Sequence, residues 1–249
     1  TGADGEGTGD DGGTTGGGAS GDDGSSSGGE TTSTLVSNST LQLQNDLAAL
    51  SGVSASQAKS ISETASAQLS SDELSNSSDA TEVLPSLLSG AIKGIGANLT
   101  GETLVNNAIS QSIATVMTLL GESELTASAS TGRSAALTTA MQSLLEKLVE
   151  TAITSLEGLN LNSTALQQGL GNVVNAVVTN LGKAKVSASD IGEAVQSVGK
   201  SATNSLTKLS VSDTTKQSLK SQVETTMATS IDELATAEPS LVTDVDSLK

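Results

Sequence analysis

The residues in this chain that could do chemistry are serines, lysines and carboxylates. Three Ser-x-x-Lys pairs occur, Ser56/Lys59, Ser197/Lys200 and Ser205/Lys208. At that spacing a lysine can take the proton of a serine hydroxyl, provided burial lowers the lysine pKa. Each pair falls in a helical pattern with its lysine on the polar side. The Ser-Asp-Asn and Lys-Thr-Gly segments that accompany such a pair in penicillin-recognising enzymes are absent. Chance pairs are expected in so serine-rich a chain. Gly199-Lys200-Ser201 has the ending of a phosphate-binding loop, but position 194 is Ala where that motif needs Gly. The segment also interrupts a helical stripe instead of following a strand. The acidic N-terminal segment and Asp244-x-Asp246 can attract cations diffusely, yet neither has the spacing of a calcium loop. Asn-x-Ser/Thr sequences stand at Asn38, Asn76, Asn98 and Asn162, which are glycan acceptors in a eukaryotic secreted protein. Asn162 is better read as a helix cap.

The chain has no His, Cys, Phe, Tyr or Trp in 249 residues. That removes the imidazole base, the thiolate nucleophile, the usual soft metal ligands and every base-stacking ring. No catalytic, cofactor-binding or metal-ligating residue is assigned, and a non-enzyme is expected. The net charge is −17, and Arg133 is the one arginine. Phosphate neutralisation needs clustered cations, so nucleic-acid binding is disfavoured. Attraction to anionic lipid is disfavoured for the same reason. No run of about 18 apolar residues is present, so no transmembrane helix is expected.

The elements that must position these groups read as helices. Hydrophobic residues make up 35% of the chain and are nearly all Ala, Val, Leu and Ile. Residues 1–33 hold 13 of the 26 glycines and seven acidic residues with no cation, leaving −10 for the remainder. So apolar-poor a segment cannot offset the entropy of ordering, and it is expected to be a disordered tether. Residues 34–80 form a weakly helical, serine-rich segment: Leu41, Leu43, Leu47 and Leu50, then a face of Ala58, Ile61, Ala65 and Leu69. Residues 81–238 carry the helical body, and 239–249 a C-terminal tail. Val83 to Leu99 is a strong stripe with Pro85 near its first turn. Its Gly90-x-x-x-Gly94 spacing allows close helix contact. The same segment has the pattern of a membrane-active amphipathic helix, although a buried bundle helix has it too. Leu104 to Leu120 follows, with Gly121 expected as the residue just past the helix end. Pro239 is expected to stop the last long helix near Ala235 to Glu238. No region alternates with period two for long enough to argue a strand.

The C-terminal half repeats. Leu156, Leu181, Leu206 and Ile231 are spaced by 25 residues, as are Leu148, Val173, Val198 and Val223, and Ala152, Val177, Ala202 and Met227. Met141, Leu166 and Ile191 continue the set, as do Leu145, Leu170 and Val195. Within a unit these positions form one helical stripe. Asn162, Ser187 and Ser212 recur in phase as expected N-caps. A helix of about 18 residues spans roughly 27 Å, and the remainder makes the turn. At the last unit the stripe turns polar, at Lys216 and Lys220, as a terminal repeat should. The expected fold class is therefore all-α: an antiparallel helical bundle or a degenerate helical repeat of about 25 residues per unit.

The Gly/Ser/Asp-rich tether followed by a folded body resembles processed bacterial surface lipoproteins. That resemblance implies an exported, extracytoplasmic protein at a cell surface or secreted, with a lipidated Cys upstream of Thr1. The start at Thr1 rather than Met is expected of a processed or trimmed product. The function expected is structural or assembly work at a cell surface or in an extracellular polymer, with self-association or another protein as partner. A helical binding module for a protein or apolar ligand, or a membrane-active helix, are the alternatives.

Overall fold

A computed structural model describes residues 27–123, 135–159, 161–242, 245, 246 and 248, with side chains omitted for 27–34 and 135–138. These residues form eight α-helices and, among them, no strand: α1 (Ser27–Ala48), α2 (Ala55–Ser71), α3 (Ala80–Asn98), α4 (Glu102–Glu122), α5 (Ala135–Glu157), α6 (Ser163–Thr179), α7 (Ile191–Lys208) and α8 (Asp213–Ala237). The all-α expectation holds.

The helices stand in two rows. α2, α3, α5 and α7 pack side by side in one, and α1, α4, α6 and α8 in the other, while α1–α2, α3–α4, α5–α6 and α7–α8 cross between rows. The main contacts of the repeat half are thus between helices two apart, not between sequence neighbours. Polar bridges show that these partners run parallel. Between α5 and α7, Gln142 donates to Glu193, the Ser201 hydroxyl to the Glu146 carbonyl, and Lys208 to Glu150, each pair further along both helices. Between α6 and α8, Gln167 donates to Ser218 and Asn175 to Glu233. These bridges span 51 to 58 residues in sequence, about two 25-residue units. The physical repeat is the two-helix hairpin, and the 25-residue register is half of it.

The stripes named from sequence are the core. Leu148, Val173 and Val198 are at most 1% exposed, as are Ala152, Val177 and Ala202. One apolar cluster runs from Leu43 to Val242, with Leu241, Val245 and Leu248 docked against it. Burying each Leu, Ile or Val side chain of this cluster contributes roughly 1.5–3 kcal/mol. The α2 face of Ala58, Ile61, Ala65 and Leu69 is fully buried against an antiparallel α3. Gly90 and Gly94 let the two backbones approach. A Cβ at Gly90 would lie 2.5 Å from the Ala65 Cα, and one at Gly94 2.9 Å from the Ile61 Cα. α8 ends at Ala237, two residues before Pro239, as expected.

Several local expectations are corrected. α1 reaches back to Ser27, inside the segment expected to be tether, because extending an existing helix by a residue costs far less than nucleating one. Residues 1–26 lie outside the described residues. Leu41 faces out at 56% exposure, while Leu43 and Leu47 carry the α1 contact. Gly121 does not lie past the end of α4. It is helical and buried, and a Cβ there would sit 2.0 Å from the Lys183 carbonyl oxygen, so it serves close approach instead. Ser187 does not cap α7: its hydroxyl donates to the Asp190 carboxylate, and a turn intervenes before the helix starts at Ile191. Asn162 and Ser212 do cap, accepting from the amides of Ala165 and Thr215. Pro85 lies one turn deeper in α3 than expected, because the Asp79 side chain caps the helix at Thr81.

Candidate functional site

That deeper position of Pro85 has a consequence on the surface. Proline has no N–H, so the carbonyl four residues back, Thr81, loses its helical donor. Lys147 of α5 supplies one, with Nζ 3.2 Å from that oxygen. The bridge ties α3 to α5 beside an open cleft. About 410 Å³ of this cleft is lined by Asp72, Leu74, Glu82, Pro85, Ser86, Ser89, Lys147 and Thr151. Ser89 also borders a second part of about 500 Å³, with Lys93, Gly96, Ala97, Thr154, Ser155, Gly158 and Leu159. Parallel α3 and α5 form the walls, and Ser155 donates across to Ser89 at 3.2 Å.

Asp72, the cap residue of α2, organises one end. Its carboxylate accepts from the Ser86 hydroxyl at 2.5 Å and from the Gln68 amide at 2.9 Å. Lys93 donates to the other end of the same Gln68 side chain at 2.6 Å. The Ser86 hydroxyl, then the Gln68 amide and the Ser71 hydroxyl, with the Lys93 charge behind them, hold the Asp72 carboxyl below its ordinary value against a smaller opposing effect of burial. A carboxylate stabilised in this way is a weaker base, so the short Ser86–Asp72 contact does not activate the serine. The cleft's described groups do not form an acid, base and nucleophile set.

The residues singled out from sequence do not converge. Ser56 is exposed and bonds Ser54, while Lys59 pairs with Glu63 at 3.7 Å. Ser205 is buried and donates to the Ser201 carbonyl, and Lys208 reaches Glu150 on α5. Lys200 is exposed on α7, with Ser197 half-buried. Gly199-Lys200-Ser201 lies inside α7, where backbone amides serve the helix, and the Ser201 hydroxyl donates to α5 at 2.6 Å. It cannot cradle a phosphate. Asp244 and the acidic N-terminal segment lie outside the described residues. Among the described residues no group of three or more His, Cys, Asp or Glu is placed to hold a metal ion.

Asn38 is exposed on α1, Asn76 is exposed in the turn between α2 and α3, and Asn98 donates to the Gly94 carbonyl at 2.8 Å. The apolar stripe of Val83 to Leu99 is covered by α2, α4 and α5, so presenting it to lipid requires opening the body. No helix among the described residues is long and apolar enough to cross a membrane. Sequence reasoning missed the Asp72–Ser86–Gln68–Lys93 cluster and the Lys147 bridge. Pro85 was the available signal, since it frees a carbonyl at Thr81 that some donor must meet. No family model matches the chain, and no curated protein matches its sequence.

Proposed function

We propose that this is a non-enzymatic structural protein, exported to a cell surface or an extracellular polymer, whose helical body is carried on an acidic glycine-rich tether. One observation carries the reading: several of the polar and charged side chains serve as links between helices instead of converging on one site. Ser201, Lys208, Glu150, Lys147, Ser155 and Asp72 each bridge two helices. Their hydroxyls, ammonium groups and carboxylates hold neighbouring helices of one row in register. The tether composition supports the surface placement. Lys216 and Lys220 on the outer helix α8 make a polar end to the stack, so copies associate through lateral faces or through the tether.

Protease shaving of intact cells carrying the natural full-length gene tests the placement. Loss of the body before lysis supports export, and protection until lysis contradicts it. Light scattering tests the assembly role. Concentration-dependent species larger than a monomer support it, and a strict monomer at high concentration contradicts it. A second reading, a helical binding module, is favoured by the cleft between α3 and α5. The cleft's lining mixes hydroxyls and charges with Leu74, Pro85, Ala97 and Leu159, and Leu41 is the one large hydrophobic side chain well exposed among the described residues.

A further inference from the structure

The four Asn-x-Ser/Thr sequences are alike in sequence and unlike in the fold. Attachment of an N-linked oligosaccharide requires the asparagine amide and the hydroxyl two residues on to be presented together. On a helix, successive residues turn by about 100°, so positions i and i+2 face away from each other. Asn38 and Thr40 both lie on α1, and the Thr40 hydroxyl donates to the Val36 carbonyl at 3.0 Å. Asn162 is the cap of α6, accepting from Ala165, and its partner Thr164 is already helical. Asn98 closes α3, half-buried, with its amide nitrogen on the Gly94 carbonyl.

Asn76 differs on every count. It stands in the turn from Asp72 to Asp79, outside any helix, and both Asn76 and Ser78 are exposed. Neither side chain hydrogen-bonds to another described residue. The bonds of the turn are made by others: Leu74 N–H to the Leu69 carbonyl, Ser77 N–H to the Leu74 carbonyl, and Asp79 N–H to the Ser77 hydroxyl. A substituent on the Asn76 amide would therefore disturb none of these contacts.

The geometry points to Asn76 as the position at which the folded body accepts an N-linked oligosaccharide. The co-reactant is a lipid-pyrophosphate-linked oligosaccharide. The Asn76 amide nitrogen bonds to the anomeric carbon as that carbon's bond to pyrophosphate breaks. Lipid pyrophosphate leaves with the electron pair, and the amide proton passes to a base of the transferase. The inference rests on the proposed export, which brings the chain to the compartment of such a transferase.

The test uses the purified, folded full chain with an oligosaccharyltransferase proven on a short acceptor peptide and its lipid-linked donor. Intact mass should rise by one oligosaccharide, and peptide mapping should place it on Asn76. Asn76→Gln should abolish the adduct and leave the melting temperature unchanged. No adduct on the folded chain, or an adduct at Asn38, Asn98 or Asn162 with Asn76 bare, overturns the inference. Transfer in vitro does not depend on where the chain resides, so a cytosolic chain with a competent Asn76 would overturn the export reading alone.

Discussion

Replacing Gly90 by Ala puts the α2–α3 contact to a quantitative test. In a free helix the change is favourable by about 1 kcal/mol, because alanine gives up less backbone entropy. Here the new methyl would stand 2.5 Å from the Ala65 Cα, 2.8 Å from the Gln68 Cβ and 3.2 Å from the Ala65 carbonyl oxygen. Two of those three atoms are backbone, so relief requires moving a helix that packs tightly along its length. Overpacking of this kind costs typically 1–3 kcal/mol, and set against the propensity gain it leaves a net loss of up to ~2 kcal/mol. Gly199→Ala in α7 is the matched control. Its methyl would meet only the end of the Met227 side chain, with Cε at 3.4 Å and Sδ at 4.0 Å, which is ordinary contact. That variant keeps most of the propensity gain and should be neutral to about 1 kcal/mol more stable. In a chain of this size 1 kcal/mol moves the melting temperature by about 2–4 °C. Thermal melting of both variants beside the parent separates them, with Gly90→Ala below the parent and Gly199→Ala at or above it. A Gly90→Ala variant that melts above the parent, as the free-helix gain alone would give, would refute the close approach of α2 to α3.

Leu156→Ala, at a fully buried stripe position, should cost about 2–5 kcal/mol in urea unfolding. Lys220→Ala, on the polar outer face of α8, should stay within ~0.5 kcal/mol, since its exposed pair with Glu224 at 3.9 Å contributes little. The caps should split in the same assay: Asn162→Ala and Ser212→Ala each lose about 1 kcal/mol, whereas Ser187→Ala, which removes no helix cap, loses less than ~0.5 kcal/mol. Asp72 has a folded pKa below the unfolded value of 3.8, so its contribution is present above that value and fades as pH falls through the folded pKa. Asp72→Asn should therefore be less stable than the parent at pH 7, and stability measured down the acid limb should show the gap closing below pH 3.8. Equal stability at pH 7, or a gap that widens in acid, would contradict the assignment.

Helices and buried faces were legible because a 3.6-residue stripe of Leu, Ile, Val and Ala on a serine-rich ground has few other readings. The 25-residue register was legible for the same reason, since Leu148, Val173, Val198 and Val223 all need the same burial. Which helix covers which stripe was not. A stripe of Ala and Val accepts any neighbour of matching shape, so parallel pairing two helices apart rests on bridges such as Gln142–Glu193, whose partners lie 51 residues apart. Gly121 and Ser187 misled for a common reason. A glycine near a helix end and a serine near a helix start have strong local meanings. Contact with the Lys183 backbone and with the Asp190 carboxylate overrides them here. At the candidate site only Pro85 signalled anything, because Asp72, Glu82, Lys93, Lys147 and the serines and threonines between them carry no distinctive spacing in the sequence.

The central claim is that helices two apart run parallel in two rows, and the absence of cysteine makes the chain ready for site-directed spin labels. Labels at Gln142 and Glu193 should lie close, and labels at Gln142 and Lys208 farther apart by up to ~22 Å, the rise of 15 helical residues. Pulsed electron resonance measures both distances. A short first distance with a long second one is the result expected; the reverse order would mean that α5 and α7 run antiparallel and would contradict the account.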